Sequence, residues 1–349
     1  MRIALDSMGG DRGPEDIVSG AIQAVTEADL AVTLFGDEEK LTAILEQSGS
    51  YDSGRIDIVH TTEVVGMGES PIDAIRRKRD ASIVVAFKRL KAGEVDAVVS
   101  AGNSGATMAA AVRSLGRLKN IVRPGIASIF PTLKKPVVMM DVGANVDCRP
   151  KHLLQFGLMA TAFSEGIIGN DRPRVGVLSI GAEQGKGNSL VRKADKLFRD
   201  STLNYIGNIE GSDTFKGDVD VIVCDGFVGN VSLKISEGLA EAMTTMLRAE
   251  INNSMMAKLG YLLSRGAFSR FKKRIDYAEY GGAPLLGLNG TGIVCHGRSN
   301  PMAIKNAIHV AAETVQNKVN KRIVELMSEL AESSGEGSAS DDIPQGGAL

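Results

Sequence analysis

The chain has 349 residues, of which 43% are apolar and 23% charged, and its formal net charge at pH 7 is −2. A chain of this length can bury a large core, whereas its near-neutral charge and 4% aromatic content argue against nucleic-acid binding. Its three cysteines are widely spaced, it begins without a signal peptide and it contains no apolar run of spanning length, so we predict a cytoplasmic protein.

Short Val- and Ile-rich runs recur along the chain, and each ends in Gly, Asn or Asp before a helical pattern begins. In chain order these runs lie at 2–11, 31–37, 95–106, 136–147, 174–183 and 219–230. Val137–Met140 and Val221–Val223 are apolar at successive positions, which is typical of strands buried on both faces. This alternation of strands and helices predicts an α/β fold with a doubly wound, mostly parallel sheet in a three-layer α/β/α arrangement.

The loops that follow these strands are rich in glycine and asparagine. The asparagines are Asn103, Asn145, Asn188, Asn208 and Asn230. Because ligands bind beyond the carboxyl ends of parallel strands, we expect these loops to converge on one crevice. Carboxamide and backbone N–H groups are neutral donors that suit a phosphate or an oxyanion, so the loops favour acyl transfer between a thioester and phosphate. The alternative is that they supply only turns and helix caps.

The segment "SIGAEQGKGNS" at 179–189 is typical of a phosphate-binding loop. It lacks the spacing of a nucleotide-binding P-loop, since only three residues separate Gly181 from Gly185 and Gly187 follows Lys186 where a hydroxyl is required. A smaller anion can still bind, because a strand–loop–helix junction presents free N–H groups and the positive end of a helix dipole.

Several chemistries lack their signatures. The four histidines form no H-x-x-x-H motif or Cys/His cluster, and neither a G-x-S-x-G elbow nor a G-x-G-x-x-G fingerprint occurs. We therefore expect no metal and no serine hydrolase, although a dehydrogenase without the fingerprint stays an alternative. A covalent acyl-enzyme on Cys148 or Cys224 also stays open, but the apolar run around Cys224 indicates a buried and inert thiol.

Residues 251–275 contain six Lys or Arg and no Asp or Glu. Two short amphipathic helices joined at "SRGAF" would place apolar side chains on one side and cations at its margin, which suits an anionic membrane surface or an acidic partner. We expect the membrane contacts to be Leu259, Leu262, Leu263 and Phe268. A helical pair in the core or at a dimer interface is the alternative.

Seven blocks, in order and over residue 1 to roughly 330, together resemble the PlsX-type phosphate acyltransferases of bacteria. They are "LDSMGGD" at 5–11, "SAGNSGA" at 100–106, "DVGANVDC" at 141–148, "LSIGAEQGKGN" at 178–188, "GNIEG" at 207–211, "VCDGFVGNV" at 223–231 and "YGGAPLLGLNG" at 280–290. The resemblance implies that acyl-[acyl carrier protein] and inorganic phosphate give acyl phosphate and free carrier protein. The product would feed a membrane glycerol-3-phosphate acyltransferase in phospholipid biosynthesis.

The resemblance also implies a homodimer with a fold similar to isocitrate and isopropylmalate dehydrogenases, without an organic cofactor, at the inner face of the cell membrane. We therefore expect one α/β/α unit over 1–330, a protruding helical segment at about 240–276 and a disordered, Gly/Ser-rich tail over 331–349. A phosphate acetyltransferase-like enzyme that uses acyl-CoA and a non-catalytic membrane-associated scaffold stay as alternatives.

Residues and resemblance together suggest roles, stated as hypotheses. The predicted catalytic residues are Lys186, Asn230, Asp225 and Asn145, and the predicted phosphate- or substrate-binding residues are Asn103, Ser104, Gly105, Asp141, Gly185, Asn188, Asn208 and His296. Lys186 would hold phosphate, Asn230 and Asn145 would bind the thioester oxygen, and Asp225 or Asp141 would orient Lys186 or accept a proton. Each aspartate could instead only cap a helix.

Overall fold

The computed structural model describes residues 1–49, 51–275 and 277–333. The strands are β1 (Arg2–Asp6), β2 (Ala31–Gly36), β3 (Ile56–His60), β4 (Ala97–Ser100), β5 (Gly125–Phe130), β6 (Val137–Met140), β7 (Val175–Leu178), β8 (Tyr205–Ile209), β9 (Val221–Val223), β10 (Ala283–Leu286) and β11 (Thr291–Val294). They form one sheet in the order β3-β2-β1-β4-β11-β10-β5-β6-β9-β7-β8.

The predicted mostly parallel sheet is confirmed, since seven of the ten strand pairs are parallel. The three antiparallel pairs are consecutive at the centre, where β11 pairs with β10, β10 with β5 and β5 with β6. Three successive reversals leave β6, β9, β7 and β8 antiparallel to β3, β2, β1, β4 and β11. We call the edge where β1, β4 and β11 end the first edge, and the edge where β6, β7 and β9 end the second edge.

Helices cover both faces of the sheet and confirm the three-layer α/β/α prediction. The helices are α1 (Pro14–Glu27), α2 (Glu38–Gln47), α3 (Pro71–Arg77), α4 (Ser82–Lys91), α5 (Ser104–Leu115), α6 (Pro150–Phe163), α7 (Ser189–Arg199), α8 (Gly226–Asn253), α9 (Met255–Leu263), α10 (Arg265–Ile275), α11 (Pro301–Gln316) and α12 (Val319–Ser333). One face carries α3, α4 and α5, while α1, α11, α6 and α12 cover the other.

Strand β6 shows why these runs are apolar at every position. Val137 and Met139 pack in the cluster formed with α4 and α5, whereas Val138 and Met140 pack in the cluster formed with α6 and α12. Alternate side chains of a strand point to opposite faces, so a strand between two helical layers buries all of them. The successive apolar residues therefore follow directly from the layered architecture.

Helix α8 begins at the second edge and extends well beyond the sheet. Its 28 residues span about 42 Å, several times the length of strand β9, and only Gly226 and Gly229 are buried. Helices α9 and α10, which contain no buried residue, follow at its far end. The Arg274 guanidinium then donates to the carbonyl oxygens of Thr132 and Leu133 in the β5–β6 turn. The segment thus leaves the sheet at one edge and returns at the other.

The break between α9 and α10 falls at Ser264, inside the predicted "SRGAF" joint. None of the described helices combines the length with the apolar character that crossing a bilayer requires. Residues 331–333, which the prediction assigned to a disordered tail, belong to α12. That helix is anchored by the buried side chains of Val319, Ile323 and Met327. Residues 334–349 lie outside the described residues.

Candidate active site

The strand directions divide the predicted site residues between the two edges of the sheet. At the first edge, Asn103, Ser104 and Gly105 follow β4 and His296 follows β11. At the second edge lie Asp141 and Asn145 after β6, Gly185, Lys186 and Asn188 after β7, Asn208 at the end of β8, and Asp225 and Asn230 after β9.

The prediction that all these loops line one crevice is therefore wrong for a single chain. Strands β4 and β6 are four positions apart in the sheet, which corresponds to about 19 Å, and they end at opposite edges. The physical reason is the pair of central strands, β10 and β5, that reverses the strand direction between the two halves.

At the first edge, Asn103 caps a helix and has no group left for phosphate. Its Oδ1 accepts from the N–H of Ala106 at 3.0 Å, and its Nδ2 donates to the carbonyl oxygens of Met67 and Glu69 at 2.9 and 3.3 Å. The capping alternative thus describes Asn103 correctly. His296 lies at the same edge, where its Nδ1 accepts from the N–H of Arg298 at 3.2 Å.

Each half of the sheet has a buried aspartate at the end of a central strand. Sequence reasoning missed Asp6, although it stands in the "LDSMGGD" block; it accepts hydrogen bonds from the hydroxyls of Ser82 and Ser100. Its counterpart Asp141 is fully buried and accepts from the N–H groups of Ile126, Ala144 and Asn145 at 3.0, 3.1 and 2.7 Å. Burial raises the pKa of both carboxyls, and these donors oppose the rise.

The hydrogen bonds of Asn145 indicate a different role from the predicted one. Its Nδ2 donates to Asp141 at 2.9 Å and to the carbonyl oxygen of Pro124 at 2.8 Å, so both N–H bonds are used inside the protein. Asp141 is likewise saturated and out of contact with solvent. Neither group can contact a thioester, and together they hold the loop between β6 and α6 against the start of β5.

This loop and the start of α8 fix each other. Gly226 donates its N–H to the carbonyl oxygen of Asn145 at 2.8 Å. A Cβ atom on Gly229 would lie only 1.9 Å from the carbonyl oxygen of Asp141, so only glycine allows this approach. Asp225 caps α8, with its Oδ1 accepting from Phe227 and Val228 at 3.0 Å each. The capping role is therefore real, but Oδ2 accepts no hydrogen bond within the described residues.

Asn230 lies one turn into α8 and is exposed. Its Cγ would be 3.5 Å from a Cβ atom built on Gly143, so the carboxamide lies directly above the loop that follows β6. In the part of the chain that the structure describes, its side chain makes no hydrogen bond. Asn230 thus keeps its N–H groups available, as does Asn188 at the same edge, whose Nδ2 donates to no acceptor within the described residues.

The loop between β7 and α7 presents an exposed ammonium and free backbone donors. Gly185 and Gly187 adopt φ of 88° and 93°, which L side chains rarely adopt, and they turn the loop around Lys186. The N–H groups of residues 187–190 donate to no acceptor among residues 1–49, 51–275 and 277–333. Helix α7 also has no acidic residue in its first turn. These features suit an anion.

Asn188 and Asn208 support this loop. The Oδ1 of Asn188 caps α7 by accepting from the N–H of Val191 at 2.9 Å. Asn208 is buried and donates from Nδ2 to the carbonyl oxygen of Glu183 at 3.2 Å, which fastens the loop to the end of β8. We therefore regard Asn208 as a positioning residue.

The cysteines at this edge are poor nucleophiles. Burial raises the pKa of the Cys148 thiol to about 11, and burial also raises the pKa of Cys224 well above its usual value. A thiol must ionise to attack a thioester, so these shifts suppress the attacking form at neutral pH. These raised pKa values argue against a cysteine-bound acyl group.

Comparisons with known proteins identify the family and the fold. A family model described as "Fatty acid synthesis protein" matches residues 1–322. A phosphate acyltransferase of Syntrophotalea carbinolica is 56% identical over 324 residues, which cover 92% of each chain.

In fold, a phosphotransacetylase from Streptococcus pyogenes matches with a TM-score of 0.62 and 18% identity, over 90% of this chain and 94% of that one. A 4-hydroxythreonine-4-phosphate dehydrogenase from Klebsiella pneumoniae matches with a TM-score of 0.54 and 15% identity, over 90% and 99%. The predicted dehydrogenase-like fold is confirmed.

Replacing Gly229 by alanine should separate α8 from Asp141. The added methyl group meets a backbone oxygen, so we expect a loss of about 2 kcal/mol in the free energy of unfolding. Gly238→Ala on the same helix is the matched control, because a Cβ atom there meets nothing within 4 Å. Thermal unfolding of both variants checks this, and equal midpoints would show that the close approach does not constrain the site.

Proposed function

This chain belongs to the fatty acid synthesis protein family, and a relative that is 56% identical to it is a phosphate acyltransferase. We therefore propose that inorganic phosphate binds at the second edge of the sheet and is acylated there. The chain is a phosphate acyltransferase, and its reaction forms an acyl phosphate. Acyl-[acyl carrier protein] is the acyl donor in this proposal, and a membrane acyltransferase of phospholipid biosynthesis consumes the product.

The observation that carries the proposed site is the unsatisfied donor set after β7. The N–H groups of Gly187, Asn188, Ser189 and Leu190 and the ammonium of Lys186 are available at the end of one strand. Phosphate accepts several hydrogen bonds and is negatively charged at neutral pH, so it matches these donors in number and in charge. Lys186 adds the charge that backbone donors lack.

The proposed step is a direct displacement at the thioester carbon. A phosphate oxygen held by Lys186 attacks the carbonyl carbon, and the C–O bond forms as the carbonyl oxygen becomes an oxyanion. Asn230 donates from Nδ2 to this oxyanion. The carbonyl then re-forms as the C–S bond breaks, and the thiolate leaves without strong acid assistance because alkyl thiols are much more acidic than alcohols, with a pKa of about 8.5 for free cysteine.

Asp225 has a direct role in this step, whereas the buried residues Asp141 and Asn145 have an indirect one. In this proposal Asp225 uses its Oδ2, which accepts no hydrogen bond within the described residues, to orient the Lys186 ammonium or to accept a phosphate proton. Asp141 and Asn145 act as positioning residues, since they fix the base of α8 on which Asn230 stands. Such rigid placement supplies catalysis by orientation.

A second copy of this chain fits one face of α8. Val228, Ile235, Leu239, Met243 and Met246 are all exposed and follow one another at intervals of three, four or seven residues. These intervals place them in one stripe along the helix. An exposed apolar stripe of this length is typical of a helix that packs against the same helix of a second copy. The proposal therefore includes a homodimer formed through α8.

The α9–α10 tip fits a membrane surface. Leu259, Leu262 and Leu263 are exposed among six cations and no acids, which suits anionic headgroups and the acyl boundary. Phe268 is only partly exposed, because its ring packs 5.0 Å from that of Tyr261, so it supports the tip from inside. Peripheral attachment would bring the product to the membrane where it is used.

Lys186→Ala should lower kcat/KM for phosphate by about 100-fold, since a charge-assisted contact to phosphate worth about 3 kcal/mol is lost. Lys196→Ala, which removes the same charge near the far end of α7, should change it by less than about twofold. Release of thiol from acyl carrier protein thioester at varied phosphate gives both values. Equal kcat/KM values for the two variants would show that Lys186 does not bind phosphate.

Leu262→Glu, Leu263→Glu should reduce sedimentation of the protein with vesicles of anionic phospholipid by at least about tenfold, because two apolar contacts become repulsive. Ile72→Glu, which makes the same change at an exposed position of α3, should leave sedimentation unchanged. Undiminished binding of the double variant would rule out the tip as the contact.

A further inference from the structure

Four exposed apolar side chains surround the donors of the second edge. They are Val122, Val146, Ile180 and Phe227, with exposed fractions of 40%, 59%, 85% and 62%. We call them the apolar rim, and we propose that the rim binds the fatty acyl chain of the substrate and thereby sets the chain-length preference. This inference rests on the proposed function and adds the residues that select the substrate.

The backbone brings the rim residues together. Gly226 is hydrogen bonded to Asn145 at 2.8 Å, so the residues that follow each of them, Phe227 and Val146, leave adjacent points of the backbone. Strand β7 pairs with β9 in a register that sets Val177 beside Val223. Strand β7 ends at Leu178 and β9 at Val223, so Ile180 and Phe227 belong to the segments that leave these two neighbouring strands at the same edge.

Val122 completes the rim on the side of β5. It lies two residues before Pro124, whose carbonyl oxygen accepts a hydrogen bond from Asn145 at 2.8 Å. Its own N–H donates to Gln155 at 2.9 Å, which fastens this segment to α6. Each side chain of the rim is thus held by a backbone segment fixed at the second edge, and none is part of the core.

The rim is distinct from the stripe proposed for the dimer. Phe227 and Asn230 are three residues apart on α8 and share one helix face. Val228, Ile235 and Met246 lie about 80–100° around the helix from Phe227. The two apolar surfaces therefore face different directions, and a partner packed on the stripe does not have to cover the rim.

The chemistry of the reaction indicates that the acyl chain of the substrate is what binds to the rim. The thioester carbon must lie between the Lys186-bound phosphate and the Asn230 carboxamide, and the acyl chain must extend from that carbon. Burying methylenes against apolar side chains is favourable, so the acyl chain is bound where apolar side chains border the reacting carbon. The rim provides such a border, since Ile180 lies in the loop that carries Lys186 and Phe227 lies in the helix that carries Asn230.

The test compares long and short acyl chains on one variant. Ile180→Gln, Phe227→Gln should lower kcat/KM for dodecanoyl-[acyl carrier protein] by about tenfold, which corresponds to the lost burial of about two methylenes. For butyryl-[acyl carrier protein] the change should stay below about twofold, and the KM for phosphate should not change. Ile180→Met, Phe227→Leu keeps the rim apolar and should retain the wild-type preference.

Ile72→Gln is the control for an exposed apolar residue outside the site, since Ile72 is 58% exposed on α3. It should leave the ratio of the two kcat/KM values unchanged. If the wild-type protein acylates phosphate but the double glutamine variant loses activity equally for both chain lengths, or for neither, the proposed role of the rim is wrong. The proposed function would then still stand. A wild-type protein that consumes neither thioester in the presence of phosphate would overturn both.

Discussion

The reversal of strand direction at the centre of the sheet is the constraint on which the rest of the molecule depends. Strands β10 and β5 stand between two parallel halves and make them end at opposite edges. Because loops after parallel strands are where ligands bind, one chain has two separate places for chemistry. At the first edge Asn103 is used for capping, whereas the second edge keeps Lys186, Asn230 and a row of backbone N–H groups available.

The second edge is rigid because its buried polar groups satisfy one another. Asp141 receives four N–H donors, two of them from Asn145, and Gly229 lets α8 approach to contact distance. This arrangement uses up two residues that could otherwise contact substrate, but it fixes the base from which Asn230 projects. Rigid donors that need no rearrangement stabilise a developing oxyanion better than mobile ones. Val146 lies in the loop after β6, Phe227 lies in α8, and Ile180 lies in the loop with Lys186, so each apolar group of the proposed site shares a segment with polar groups of that edge.

The sequence predicted the layers of the fold because strands such as β6 are apolar at every position, which only two covering layers explain. It also predicted the strand-end loops and the break near Ser264. It could not predict which loops meet, since that depends on β5 and β10, two strands without a distinctive pattern whose antiparallel pairing is set by tertiary contacts. Nor could it separate Asn230 from Asn103 and Asn145, because whether a carboxamide is free depends on partners distant in the chain, such as Met67 and Pro124.

The position of bound phosphate tests the central claim most directly. In a crystal structure of the protein with inorganic phosphate, we expect the anion about 3 Å from the N–H groups of residues 187–190 and from the Nζ atom of Lys186. Phosphate bound instead beside Asn103 and Ser104, at the start of α5 on the first edge, would contradict the account.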